Sequence, residues 1–96
     1  MPAYVVAVVN VTNPDAYAQY AKLAGIANDQ YGSRFLARGG KFEVMEGRFA
    51  ANRIVIAEFA SMEKAKQFYN SPEYQAAREK RIGAADFNLV IVEGVG

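Results

Sequence analysis

Arg34-Phe35-Leu36-Ala37-Arg38-Gly39-Gly40 lies near the middle of the chain and sets its plan. Apolar residues between two arginines read as a short strand, and the double glycine that follows marks a turn or bulge. Upstream, residues 3–11 (AYVVAVVNV) are rich in β-branched side chains and apolar on both faces, which suits a central strand. Asn13-Pro14-Asp15 then opens a helix: Asn caps, Pro fits the first helical position, and Asp favours the positive helix end. The helix is expected to run to about Tyr31 and stop at Gly32. Its inner stripe is Tyr17, Tyr20, Ala21, Ala24, Ala27 and Tyr31, at helical spacing. Ile26 falls on the polar face, as a lone exposed apolar residue or as a contact with another copy.

Downstream, Lys41–Glu46 (KFEVME) alternates at strand period, with Phe42 and Val44 on one face and Glu43 and Met45 on the other. Gly47 to Asn52 reads as a loop, and Arg53–Phe59 (RIVIAEF) as a nearly continuous apolar strand interrupted by Glu58. Ser61 caps a helix that buries Met62, Ala65, Phe68 and Tyr69. Asn70-Ser71-Pro72-Glu73 ends that helix and caps another, expected to reach about Ala85. Asn88–Glu93 is the last strand, closed by Gly94. The order is β-α-β-β-α-β, with the third strand doubled back at Gly39-Gly40 and the second helix broken at Pro72. This is the ferredoxin-like pattern, an α+β fold whose antiparallel sheet carries its helices on one face. Residues 1–96 form a single domain. The strands look apolar on both faces although helices cover only one, so the other face calls for a second sheet from an identical copy, a homodimer.

Composition excludes several functions. The chain has no cysteine and no histidine. Disulfides, thiolate nucleophiles, Ser-His-Asp relays and the usual zinc and iron sites are therefore out, and no metal site is expected. Acid/base chemistry falls to Asp, Glu, Lys or Tyr. Eleven basic residues nearly cancel ten acidic ones, with no basic block, so nucleic acid is not an expected partner. Met1–Val11 is apolar but lacks the basic start and cleavage site of a signal peptide, and no apolar run reaches membrane-spanning length. A cytoplasmic protein is expected, in which the Asn10-Val11-Thr12 glycosylation pattern is chance.

Charged residues inside apolar strands are costly unless paired or exposed. Parity puts Arg34, Leu36 and Arg38 on one face of their strand. Ile54, Ile56 and Glu58 share a face of theirs, as do Leu89, Ile91 and Glu93. Arg38 and Glu58, joined by Arg34 or Glu93, are expected to line a polar pocket between sheet and helices. There an arginine holds a carboxylate through two hydrogen bonds, and Glu58 acts as a catalytic base if burial raises its pKa. The alternative is a structural ion pair, or charges reaching water at strand ends. Tyr74, Ala77, Arg78, Arg81 and Ala85 form one stripe of the last helix, either an anion-recognising wall or arginine stems covering apolar surface. Gly39-Gly40 is not a phosphate cradle, because no helix follows it closely.

Five segments carry a family likeness. They are Arg34–Gly40, Glu46-Gly47, Arg53–Phe59, Tyr69-Asn70-Ser71-Pro72-Glu73-Tyr74 and Val92-Glu93-Gly94. With these, essentially the whole chain resembles the bacterial DUF1330 family of the dimeric α/β barrel superfamily. The resemblance implies a ferredoxin-like protomer and a back-to-back sheet dimer, with no established reaction. Superfamily relatives include cofactor-free monooxygenases, haem-degrading enzymes and enzymes of chlorinated or lactone intermediates. Many use a histidine that this chain lacks. Three readings stay open: a cofactor-independent enzyme acting on a small anionic or phenolic compound, a module that binds such a compound unchanged, and a purely structural dimer.

Overall fold

The computed structural model describes residues 1–96. The elements are β1 (Ala3–Val11), α1 (Pro14–Gln30), β2 (Arg34–Arg38), β3 (Arg53–Phe59), α2 (Met62–Tyr69), α3 (Pro72–Glu79) and β4 (Ala85–Glu93). The strands form one sheet in the order β2-β3-β1-β4, with every neighbouring pair antiparallel. This is the ferredoxin-like arrangement. No helix is long and apolar enough to cross a membrane.

Each helix starts where a polar side chain satisfies an otherwise orphaned N–H. Ala16 N–H donates to Asn13 Oδ1, Lys64 N–H to Ser61 Oγ, and Tyr74 N–H to Ser71 Oγ. Ser71 is buried, and its hydroxyl also donates to the Phe68 carbonyl at 2.7 Å, so one side chain closes α2 and opens α3. The last helix is shorter than its stripe suggested. It stops at Glu79, and β4 begins at Ala85, three residues before the expected strand.

Alternation along β1 directs Ala3, Val5, Ala7 and Val9 into the core. Ala57 and Phe59 of β3 lie on the same side. Phe68, Tyr74, Tyr17 and Tyr20 come down from the helices to meet them. The aromatic rings interlock, with Phe68 4.6 Å from Tyr74 and 5.0 Å from Phe59 between centroids. The opposite sheet face carries Val6, Val8, Ile54, Ile56, Val90 and Val92 and has no layer over it.

Two expectations fail here. First, Lys41–Glu46 is not a strand. Its alternation is real, but no neighbour lies alongside to complete a ladder. The chain doubles back through a long irregular arm over residues 40–51, and not at Gly39-Gly40. Second, Arg34 and Arg38 do not share a face. Arg34 pairs with Glu58 and Phe35 with Ala57, then Leu36 is skipped, so Ala37 pairs with Ile56 and Arg38 with Val55. This β-bulge reverses parity midway through β2. Arg34 stays on the uncovered face and Arg38 turns to the helix side.

Candidate functional site

A cleft opens between α1 and the sheet. Small residues create the space: Ala21 and Ala24 on α1, Ala7 on β1 and Ala57 on β3. Phe35, Val55, Phe87 and Leu89 line the walls, and Phe68 and Tyr74 the floor. The interior cavity is about 40 Å³, and a wider open hollow of about 490 Å³ adjoins it at Tyr17, Ala21 and Arg53.

The polar groups of the cleft divide into satisfied and unsatisfied sets. Tyr20 and Tyr74 share a buried hydroxyl–hydroxyl hydrogen bond of 2.8 Å. Asn28 donates to the Ala24 carbonyl and accepts from Ser33 Oγ, so both its amide arms are occupied structurally. Two arginines at the rim are different. Arg38 lies over the Phe35 ring at 4.3 Å and donates to the Ala21 carbonyl at 3.1 Å. Arg53 lies over the Tyr17 ring at 5.3 Å, and its Nε–H is buried with no hydrogen-bond partner. Neither has an ion-pair partner, and no carboxylate lines the cleft.

Two glycines make these positions possible. A Cβ on Gly25 would lie 2.7 Å from Arg38 Nη2, so the bare α-carbon lets that guanidinium cross α1. Gly39 sits at φ +73°, and a Cβ there would meet the Arg53 guanidinium. Gly25→Ala is expected to displace Arg38 from the Ala21 carbonyl while leaving stability unchanged or about 1 kcal/mol higher, since alanine is the better helix former. Urea unfolding checks this. A loss above about 1 kcal/mol would mean the Arg38 head cannot move aside.

Burial pushes the Tyr17 hydroxyl above its usual pKa, with Arg53 pulling partly the other way. Burial, reinforced by Tyr74, pushes Tyr20 up much further. Both therefore stay protonated at neutral pH, as hydrogen-bond donors and not bases. In the unfolded chain these phenols ionise near pH 10. Their contribution to stability is thus intact below about pH 10 and is lost above it, by up to ~1.4 kcal/mol per pH unit for each tyrosine. Urea midpoints should fall between pH 9 and pH 11, and less steeply in Tyr20→Phe. Equal slopes in the two proteins would contradict this.

The sequence-derived candidates are scattered. Arg38 and Tyr74 line the cleft. Glu58 does not: it lies on the uncovered face, where Arg34 Nη2 donates to its Oε1 at 2.9 Å and the Tyr4 hydroxyl approaches its Oε2 at 3.4 Å. The expected joint pocket of Arg38 and Glu58 is thus divided by the sheet, as a result of the Leu36 bulge. Glu93 is exposed at the end of β4, outside the cleft. Arg81 stacks on Phe87 at 3.7 Å and on Tyr20 at 5.1 Å, behind the cleft wall. Arg78 lies over Tyr69 and donates to Gln75, with Arg81 at a separate surface hollow. Arg53 was not among the candidates. Its shared parity with Val55, Ala57 and Phe59 was the available signal. No three acidic side chains converge where they could hold a metal.

Solved structures share the architecture. A protein of unknown function from Rhodopseudomonas palustris superimposes with TM-score 0.74 at 22% identity, over 99% of this chain and 83% of its own. A dimeric ferredoxin-like protein of unknown function from Bacteroides fragilis gives 0.67 at 11%, over 97% and 96%. SnoaB, a cofactor-independent oxygenase from Streptomyces nogalater, gives 0.68 at 7%, over 99% and 94%. At these identities the likeness is one of fold. No curated protein matches the sequence. The family model of DUF1330, a domain of unknown function, matches residues 2–95, and the chain belongs to that family.

Proposed function

We propose that the protein is a homodimer that binds a small organic anion, with a carboxylate or phenolate at the rim and a compact apolar body in the cleft. The observation that carries this is the pair Arg38 and Arg53: two guanidiniums at the mouth of an apolar, tyrosine-floored cleft with no acidic partner. A guanidinium held without its counter-charge presents donors suited to carboxylate or phenolate oxygens. The interior is narrow, so the ligand enters as the rim side chains turn outward. Neither side chain breaks an ion pair in doing so. The dimer rests on the uncovered apolar sheet face, whose cheapest cover is a second copy of itself.

Turnover is a second reading, favoured by the same two charges. Guanidiniums beside a bound phenol or enol stabilise its anion, which is the electronic requirement for cofactor-independent attack on oxygen. SnoaB, of like fold, is such an oxygenase. With Tyr17 and Tyr20 held protonated and Glu58 across the sheet, no lining side chain is a ready base. A substrate would have to be acidic enough to ionise against the arginines alone.

A thermal-shift panel of substituted benzoates, phenols and short carboxylates tests binding. A ligand at a hundred times its Kd stabilises by about 2.7 kcal/mol, which moves the midpoint of a domain this small by roughly 10 °C. Absence of any shift across the panel removes the reading in favour of a structural dimer. Oxygen consumption with the binders separates turnover from storage.

A further inference from the structure

The arm over residues 40–51 belongs to no helix or strand of its own chain. Its two ends are fixed. Gly39 N–H donates to the Ile54 carbonyl, and Asn52 N–H to the Val9 carbonyl. The Asn52 side chain also bonds both the N–H and the carbonyl of Val11. Between these anchors no backbone N–H or carbonyl makes a backbone hydrogen bond. The arm turns near Gly47, at φ +79°, and Phe42 meets Phe49 at 5.4 Å across it. Val44 is 49% and Met45 84% exposed, and Phe49 is not buried either. Loops this long inside compact domains are uncommon, and those that occur are mostly binding loops, lids or linkers. A strand-period sequence with apolar side chains and free backbone groups is built to lie along another surface.

We infer that this arm docks on a second copy of the chain, which satisfies its backbone groups and covers Val44, Met45 and Phe49. The inference rests on the dimer reading and specifies its second contact. Three observations select a second copy over another partner. The arm continues β2 and β3, two strands of the uncovered apolar face, so a copy packed on that face is within its reach. Its charges are balanced, Lys41 and Arg48 against Glu43 and Glu46, which suits a two-fold interface in which each patch meets its own likeness. The surface area also fits. The chain exposes 6172 Å², whereas a compact monomer of this mass exposes roughly 5,400 Å². The excess of roughly 700 Å² approaches the ~800 Å² that each partner of a standard interface buries. Docking also reaches the cleft, because the anchors Gly39 and Asn52 line the outer hollow together with Arg53.

Hydrogen exchange on the full chain, read beside sedimentation velocity, tests this. Amides 41–49 should be protected at concentrations where the protein is a dimer. Protection should vanish in Val90→Glu, which charges an exposed position of the uncovered face without touching the core. The double substitution Met45→Glu, Phe49→Ser should weaken dimerisation at least tenfold while circular dichroism stays unchanged. A dimer whose arm amides exchange at free-chain rates overturns the inference and leaves the sheet-face dimer standing. So does an arm variant with unaltered dimerisation. An arm still protected in a monomeric Val90→Glu overturns it too. A wild-type chain that is monomeric at every concentration overturns both.

Discussion

Phe68→Ala is expected to remove about 3–5 kcal/mol of stability. Phe68 is 1% exposed and joins the helices to the sheet. Its ring lies 5.0 Å from Phe59 below, 4.6 Å from Tyr74 beside it and 6.3 Å from Tyr31 at the end of α1. Removing it deletes the apolar transfer energy of the ring. It also opens a cavity into a cleft that is already under-filled, with little chance of collapse because Ser71 holds the α2–α3 corner. A domain of this size has a total stability near the low end of roughly 5–15 kcal/mol, so most of it would disappear. Urea denaturation followed by circular dichroism measures this. A loss under about 1 kcal/mol would show that the aromatic floor is not the core.

Replacing Arg53 with Met should weaken anion binding by about 10- to 100-fold, because a hydrogen bond to a charged group is worth about 1.5–3 kcal/mol. Met keeps the apolar stem that covers Tyr17 and removes only the charged head. Stability should hold or rise slightly, since no ion pair is lost and an unpartnered buried Nε–H is removed. Arg38→Met should weaken binding to a similar degree while losing the bond to the Ala21 carbonyl, and the pair together should abolish measurable binding. Arg34→Met is the contrast. It breaks the pair with Glu58 on the other face of the sheet and should leave affinity unchanged. Calorimetric titration with the best ligand from the panel reads all of them. Equal loss in Arg34→Met would move the binding site to the uncovered face and restore Glu58 as a candidate.

The sequence by itself determined the order of the elements, the inner stripe of α1, the caps at Asn13, Ser61 and Ser71, and the exclusion of histidine and cysteine chemistry. These follow from local physics. Hydrophobic period and capping depend on residues a few positions apart, and an absent residue type is absent in any fold. Tertiary structure alone decided which candidates lie together. Parity along β2 is local only until Leu36 drops out of register, and that bulge is set by pairing with β3 far along the chain. One skipped residue moved Arg38 to the helix side and left Glu58 behind. Arg53 is the first residue of its strand, and only the tertiary structure brings Gly39 against its guanidinium. Strand period in Lys41–Glu46 was legible, but a strand exists only where a neighbour accepts its hydrogen bonds, and within one chain there is none.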